Sequence, residues 1–326
     1  MLKIKKIGLL TSGGDAPGMN AAVRAIVRTA INNEVEAFGV MNGYQGLIKG
    51  DYKKMDSASV SNIIQRGGTI LKTARSKDFM SYEGRERAHK ELKKHKIDAL
   101  VVIGGDGTFT GAKIFEEEFG FPMIGLPGTI DNDLFGTDFT IGFDTAINNV
   151  VQAVDKIRDT AAAHDRLFLI EVMGRDAGFI ALRSGIAAGA EDILVPETKT
   201  YINNLIDKLN HDWRRNKRSG IIIVSEGDDF GGAYDVADEI KKRFDHFEIR
   251  VTILGHVQRG GPPTCGDRVL ASTLGYEAVI ALLKGKSGVM TGQIDNKIVF
   301  TPFEKAIKQH HRMNKHLLEI ARVLSL

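Results

Sequence analysis

A single cysteine, Cys265, stands among 326 residues. One thiol cannot form an intrachain disulfide, so nothing requires an oxidising compartment and a reducing cytoplasm is the expected setting. No apolar run approaches the roughly 20 residues of a membrane-spanning helix. The basic start, Met1-Leu2-Lys3-Ile4-Lys5-Lys6, is interrupted by Thr11-Ser12-Gly13-Gly14-Asp15 before the apolar part of a signal peptide can form. No membrane partner is expected. A strong charge of one sign is also lacking: 44 Lys and Arg oppose 41 Asp and Glu, for a net +3. The two signs are interspersed, so no nucleic-acid footprint is expected. The local exception is Trp213-Arg214-Arg215-Asn216-Lys217-Arg218, either a solvated helix end or a pocket for an anionic ligand. Low-complexity tracts, Pro/Ser-rich linkers and a repeat of fixed period are absent too.

What remains is an ordinary globular composition, 43% apolar and 26% charged, in a chain long enough for two domains. Glycine is in excess, at 36 residues against a usual share near ~7%, and many glycines directly follow apolar runs. Strand-like runs recur at 7–10, 35–41, 99–103, 123–126, 167–172, 193–195, 221–224 and 251–254. Helical periodicity fills 21–31, 85–95, 145–158, 201–214 and 269–283. Strands alternating with helices predict an α/β fold with mainly parallel sheets. A domain boundary is expected near Phe139, with the chain crossing back around Val251. One domain would then take 1–138 plus 251–305 and the other 139–250 plus 306–326.

The glycines mark three loops at strand ends. Thr11-Ser12-Gly13-Gly14-Asp15-Ala16-Pro17-Gly18-Met19-Asn20 leads into a helix, where backbone N–H groups and the helix dipole favour a phosphate. Its spacing is neither the dinucleotide fingerprint nor a Walker A loop. Gly285-Lys286-Ser287 resembles the end of the latter, but Ile280 stands where its first glycine is required. Ile103-Gly104-Gly105-Asp106-Gly107-Thr108 lets polyphosphate approach the main chain beside a carboxylate suited to magnesium. Arg66-Gly67-Gly68-Thr69 and Arg75 lie between these loops and supply a glycine pair and a cation. Finally Met123-Ile124-Gly125-Leu126 ends in Pro127-Gly128-Thr129-Ile130-Asp131-Asn132-Asp133, with two carboxylates two positions apart, as either a polar turn or a reaction site.

With SGGDAPGMN, RGGT, GGDGT and PGTIDND in that order, the chain resembles bacterial ATP-dependent 6-phosphofructokinases. The resemblance continues through Glu171-Val172-Met173-Gly174-Arg175 and Leu254-Gly255-His256-Val257-Gln258-Arg259-Gly260-Gly261, and weakens after about Lys284. It implies two Rossmann-like three-layer domains with the active site in the cleft between them, and a homotetramer with shared sites. Gly14, Arg75, Ser76, Gly105, Asp106, Gly107 and Thr108 would bind ATP, with Asp106 serving Mg2+. Thr129, Ile130 and Asp131 would face fructose 6-phosphate, with Asp131 as general base and Asp133 helping to order the magnesium site. Met173, Gly174, Arg175, Glu226, His256, Val257, Gln258 and Arg259 would hold the sugar phosphate, joined by Arg166 and Arg250 of a neighbouring subunit. Catalysis would draw on Asp131, Thr129, Arg175, Gly14 and Arg75.

The resemblance also bears on the phosphate donor. Pyrophosphate-using members carry Asp where Gly107 stands and Lys where Gly128 stands, so ATP is the expected donor. An effector site for ADP or phosphoenolpyruvate would use Arg24, Arg28, Arg158, Glu191, Arg215, Lys217 and Arg218. Ser57-Ala58 replaces a frequent Arg-Tyr pair there, and Ser219 a frequent His, which should weaken a nucleotide effector. Ser76 stands where an aromatic residue often follows the ATP-site arginine, so adenine stacking differs. The alternatives are a pyrophosphate-dependent enzyme, a kinase with another acceptor such as NAD, and a non-catalytic nucleotide sensor. Intact Asp106, Asp131 and Asp133 count against the sensor.

Overall fold

The computed structural model describes residues 4–214, 219–243, 248–309 and 311–325. In chain order, β1 (Lys6–Thr11), α1 (Met19–Asn32), β2 (Glu36–Val40), α2 (Gly43–Lys49), β3 (Tyr52–Met55) and α3 (Tyr82–His95) lead to β4 (Ala99–Gly104), α4 (Asp106–Phe119) and β5 (Met123–Pro127). There follow α5 (Phe143–Ala163), β6 (Arg166–Val172), α6 (Phe179–Ala187), β7 (Asp192–Leu194), α7 (Ile202–Arg214), β8 (Gly220–Ser225), α8 (Ala233–Lys241) and β9 (Glu248–Ile253). Then come α9 (Cys265–Leu283), β10 (Val289–Ile294), β11 (Lys297–Pro302), α10 (Phe303–Lys308) and α11 (Lys315–Leu324). Among the described residues no helix is long and apolar enough to cross a membrane.

The chain divides into two units, one of Met1–Ile130, Leu134–Thr145 and Arg259–His311, the other of Asp131–Asp133, Ala146–Gln258 and Arg312–Leu326. The return crossing expected at Val251 falls after Gln258, because β9 pairs with β6 continuously from Glu248 to Ile253 and cannot be divided. The last crossing comes after His311 rather than Lys305. There α10 packs on α4, with Phe303 and Phe109 stacked at 5.4 Å between ring centroids.

In the first unit a seven-stranded sheet runs β11-β10-β5-β4-β1-β2-β3. β4 and β5 are buried along their whole length, as central parallel strands with both faces covered must be, which is why they read as unbroken apolar runs. Leu10, Leu100, Val102 and Met123 join residues of α2, α3, α4 and α10 in one cluster. Leu9, Val101 and Ile124 are equally buried and face the other way by the two-residue period of a strand. There α1 and α9 pack against each other and against the sheet. Phe109 and Phe115 are fully buried, each contributing roughly 1.5–3 kcal/mol. Both outer pairs are antiparallel, β3 on β2 and β11 on β10. The edge strands carry Lys53 and Lys54 on β3, and Lys297 and Pro302 on β11.

In the second unit the sheet runs β7-β8-β6-β9 and is wholly parallel. β8 is buried throughout, and Leu167, Leu169, Ile222 and Val224 meet apolar residues of α7 and α8. Its edges are β7, only three residues long, and β9, which bears Glu248 and Arg250.

Candidate active site

In the first unit the chain leaves β1 through α1 for β2 on one side and leaves β4 through α4 for β5 on the other. Strand order therefore reverses between β1 and β4, and the crevice outside their carboxyl ends is where open α/β sheets bind ligands. The three glycine loops gather there. Ser12 N donates to Ile103 O at 2.9 Å, Gly128 N to Gly104 O at 3.0 Å, and Thr108 Oγ1 to Ser12 O at 3.2 Å. A Cβ on Gly104 would collide with Thr108 Oγ1 and Ser12 O, so only glycine lets the loops lie this close. Exposed Asp106 and Gly107 open α4, and a Cβ on Gly107 would meet nothing within 4 Å. A helix N-terminus beside open space and a carboxylate suits polyphosphate.

The segment 66–76 is tied to these loops. Asn20 Nδ2 donates to Arg66 O and Gly67 O at 3.0 and 3.1 Å, and its Oδ1 accepts from Ile70 N at 2.8 Å. Thr11 Oγ1 donates to Lys72 O at 2.8 Å and lies 3.0 Å from Thr69 Oγ1. Thr73 Oγ1 donates to Gly13 O at 2.7 Å, and exposed Arg75 follows two residues later. Ser76 donates to Gln45 Oε1 at 2.7 Å and accepts from Phe79 N at 3.2 Å. Phe79 stacks on Tyr44 at 4.0 Å. The Tyr44 hydroxyl donates to Thr108 O at 2.6 Å, and burial pushes its phenol well above the ordinary value. Thr11 and Asn20 fall within the first glycine loop, where the sequence marks the backbone rather than these side-chain bonds, and Tyr44 does not stand out because a lone aromatic residue has no pattern of its own.

The acceptor-side loop is buried: Thr129 is 9% exposed, Ile130 0% and Asp131 4%. Gly105 and Thr129 face each other, since a Cβ on Gly105 would lie 3.7 Å from Thr129 Cβ. Behind the loop, Ile141 N donates to Pro127 O at 2.8 Å, Gly128 bridges to Ile141, and Thr140 Oγ1 donates to Thr129 O at 2.6 Å. Asn132 adopts φ +55°, and this left-handed residue turns the chain between the two carboxylates. Gly128 bears on the donor question differently from the sequence expectation. A Cβ there would sit 2.8 Å from Ile103 Cγ2 and 3.1 Å from Met19 Cε, so a side chain at this position needs those neighbours to shift.

Arg259, expected among the sugar-phosphate residues, stands in the first unit, where Nη1 donates to Asp15 O at 3.1 Å. A Cβ on Gly14 would lie 2.7 Å from the same nitrogen. In the second unit the carboxyl ends of β6 and β8 bring together Met173, Gly174, Arg175 and Glu226. Glu226 Oε1 accepts from Gly174 N at 3.1 Å and from Arg175 N at 2.7 Å, which holds Arg175 at φ +53°. Buried Gln258 accepts from Met173 N at 3.2 Å, and His256 and Val257 beside it are exposed. Arg166 and Arg250 are not part of this group. Arg166 opens β6, roughly 20 Å of strand from Met173. Arg166 Nε pairs with Glu248 at 2.5 Å, and Arg250 pairs with the same carboxylate.

Of the effector residues, Arg24 and Arg28 lie on α1 of the first unit. In the second, Arg158 Nη2 donates to Ala188 O and Gly189 O at 2.5 and 2.9 Å, and Nη1 stands 3.9 Å from Glu191 Oε1. Arg215, Lys217 and Arg218 lie outside the described residues. Among the described residues no three His, Cys, Asp or Glu side chains gather as a metal cluster.

A family model described as phosphofructokinase matches residues 6–282. ATP-dependent 6-phosphofructokinase 2 of Bacteroides thetaiotaomicron is 53% identical over 323 residues, covering 99% of each chain. ATP-dependent 6-phosphofructokinase 1 of Thermus thermophilus is 52% identical over 323 residues, 99% of this chain and 100% of that protein. The solved structure of phosphofructokinase from Saccharomyces cerevisiae is 38% identical with a TM-score of 0.89. That match covers 98% of this chain and 46% of the yeast chain, so the chain spans less than half the yeast protein's length.

Proposed function

Because the chain belongs to the phosphofructokinase family, we propose that it is an ATP-dependent 6-phosphofructokinase of glycolysis. It transfers the γ-phosphate of ATP to the 1-hydroxyl of fructose 6-phosphate, giving fructose 1,6-bisphosphate and ADP. The observation that carries this reading is the meeting of two loops at the switch point. The GGDGT loop and the Pro127–Thr129 loop lie side by side through Gly128 N to Gly104 O at 3.0 Å, as a donor phosphate and its acceptor require.

In this mechanism the polyphosphate lies along Gly14, Gly105, Gly107 and Thr108, with Ser76 beside the nucleotide and Arg75 offsetting charge on the γ-phosphoryl group. The Asp131 carboxylate takes the proton of the 1-hydroxyl as that oxygen attacks phosphorus in line and the bond to the β–γ bridging oxygen breaks. Thr129 and Ile130 orient the acceptor, and Met173, Gly174, Arg175, Glu226, His256, Val257 and Gln258 hold the rest of the sugar phosphate. Arg259, packed on Gly14, serves the phosphate side. Magnesium suits this donor set, since it retains water and substrate oxygens and needs only one or two carboxylates. Asp106 beside the open space at Gly107 provides one, and Asp133 orders the site. An ion held there would supply positive charge to the donor phosphates.

The first unit is thus the nucleotide unit and the second the sugar-phosphate unit. Arg166 and Arg250, remote from Met173 on β6 and β9, serve a neighbouring subunit's site in a cytoplasmic homotetramer. Arg158 and Glu191, with Arg24, Arg28, Arg215, Lys217 and Arg218, form the effector site for ADP or phosphoenolpyruvate. Gly107 favours ATP over pyrophosphate, because the space above it stays open for the α-phosphate. A coupled assay with fructose 6-phosphate tests the reading. Turnover is expected with ATP and magnesium and not with pyrophosphate, and the reverse pattern, or none with either donor, overturns it.

A further inference from the structure

The acceptor loop does not hold itself in place. Pro127 and Gly128 are fixed from behind by Ile141, and Thr129 by Thr140. The next residues, at the start of α5, are held by one carboxylate projecting from the first turn of α9. Asp267 Oδ1 accepts from Gly142 N at 2.7 Å, while Oδ2 accepts from Thr145 N at 2.8 Å and Thr145 Oγ1 at 2.5 Å. Thr264, the N-cap of α9, adds a second tie. Its N donates to Thr145 Oγ1 at 3.0 Å and its Oγ1 to Asp144 Oδ2 at 2.6 Å. The same residue lies behind the first phosphate loop, because a Cβ on Gly18 would sit 2.7 Å from Ile141 Cγ2 and 3.6 Å from Asp267 Cβ. Asp267 is 1% exposed.

We infer that Asp267 is a positioning residue for phosphoryl transfer, setting the acceptor loop through Gly142, Ile141 and Thr140. It accepts three hydrogen bonds as an anion. Replacing one oxygen by an amide would turn donors toward the Gly142 or Thr145 groups, and the segment behind Thr129 would shift. Misplacement by about 1 Å is worth up to ~100-fold in rate, whereas ground-state binding through the glycine loops changes less.

Protonation has a related effect. Burial raises the Asp267 carboxyl to about 6 despite the Thr145 and Gly142 donors, with Asp144 on α5 acting in the same direction. Arg268 on α9 turns its Nε to Pro263 O at 2.7 Å, and α1, packed against α9, offers no titratable side chain from Met19 to Val23. Below that pH the added proton occupies one acceptor oxygen, and the hydrogen-bond geometry behind Thr129 changes.

This inference rests on the proposed activity, so the wild type is assayed first with ATP and fructose 6-phosphate. Asp267→Asn is expected to lower kcat by about tenfold or more, with both KM values within about threefold, and to lose an acid limb near pH 6. Thr145→Val is the milder variant. It removes a donor that lowers the Asp267 pKa, so its acid limb should move to higher pH. Hydrogen exchange at Gly128 and Ile141 should quicken in both. A wild type that turns over, with an Asp267→Asn enzyme of normal kcat or an unmoved limb in Thr145→Val, overturns the inference alone. A loss of kcat that merely follows a loss of folded protein also overturns it. A wild type without turnover overturns the functional reading and this inference together.

Discussion

Asp131 and Gly107 carry opposite demands, one for a carboxylate and one for no side chain at all. Asp131 is buried at 4% exposure in a loop whose backbone is pinned on both sides, which suits a group that acts only as the attacking oxygen gives up its proton. Asp131→Ser should therefore lower kcat by about a hundredfold or more, with substrate affinities within about tenfold in steady-state assays. Near-normal turnover would remove Asp131 as the base. At Gly107 a Cβ meets nothing within 4 Å, so Gly107→Asp should fold normally. Its carboxylate would face the nucleotide phosphates beside Asp106, and kcat/KM for ATP should fall by about a hundredfold. An unchanged kcat/KM would detach donor choice from this position.

Among the elements, the junction of α5 and α9 sets a pH dependence of stability. Asp267 has its folded-state pKa raised to about 6 from the ordinary 3.8. Between those values the folded chain holds a proton that the unfolded chain lacks, so stability from this group rises as pH falls through the window and is lost as pH climbs through 6. Relative to Asp267→Asn, urea-unfolding stability should increase on acidification from pH 6 to 4, by at most about 1.4 kcal/mol per pH unit. A flat difference would refute the linkage. The elements also differ in how far the sequence reveals them. β4, β5 and β8 are buried along their length, so their apolar runs announce them. β3 has the sequence Tyr-Lys-Lys-Met and leaves no alternation to read. The β10–β11 hairpin had a usable sign, since Asp295-Asn296 at φ +49° and +60° is the two-residue turn such hairpins favour. The site is legible where glycine spacing encodes backbone proximity. It is silent where a lone side chain such as Tyr44 or Asp267 reaches across the fold, because contacts between residues distant in sequence leave no local pattern.

At the scale of the whole molecule, Arg166 and Arg250 converge on Glu248 instead of joining the residues at the carboxyl ends of their sheet. The neighbouring guanidiniums, Arg166 first, hold the Glu248 carboxyl below the usual range. Arg166→Ala should chiefly raise the KM for fructose 6-phosphate, by about tenfold, with sedimentation confirming an unchanged assembly. An unchanged KM would speak against a site shared between subunits. The outer strands have a consequence for handling the protein. Each of the four sheet edges carries a feature that discourages further pairing: lysines stand on β3, Lys297 and Pro302 on β11, β7 is three residues long, and β9 bears ions of both signs. Among the described residues the strand edges therefore give native chains little to zip together at high concentration, and losses during purification should scale with time spent unfolded rather than with the amount of folded protein in the tube.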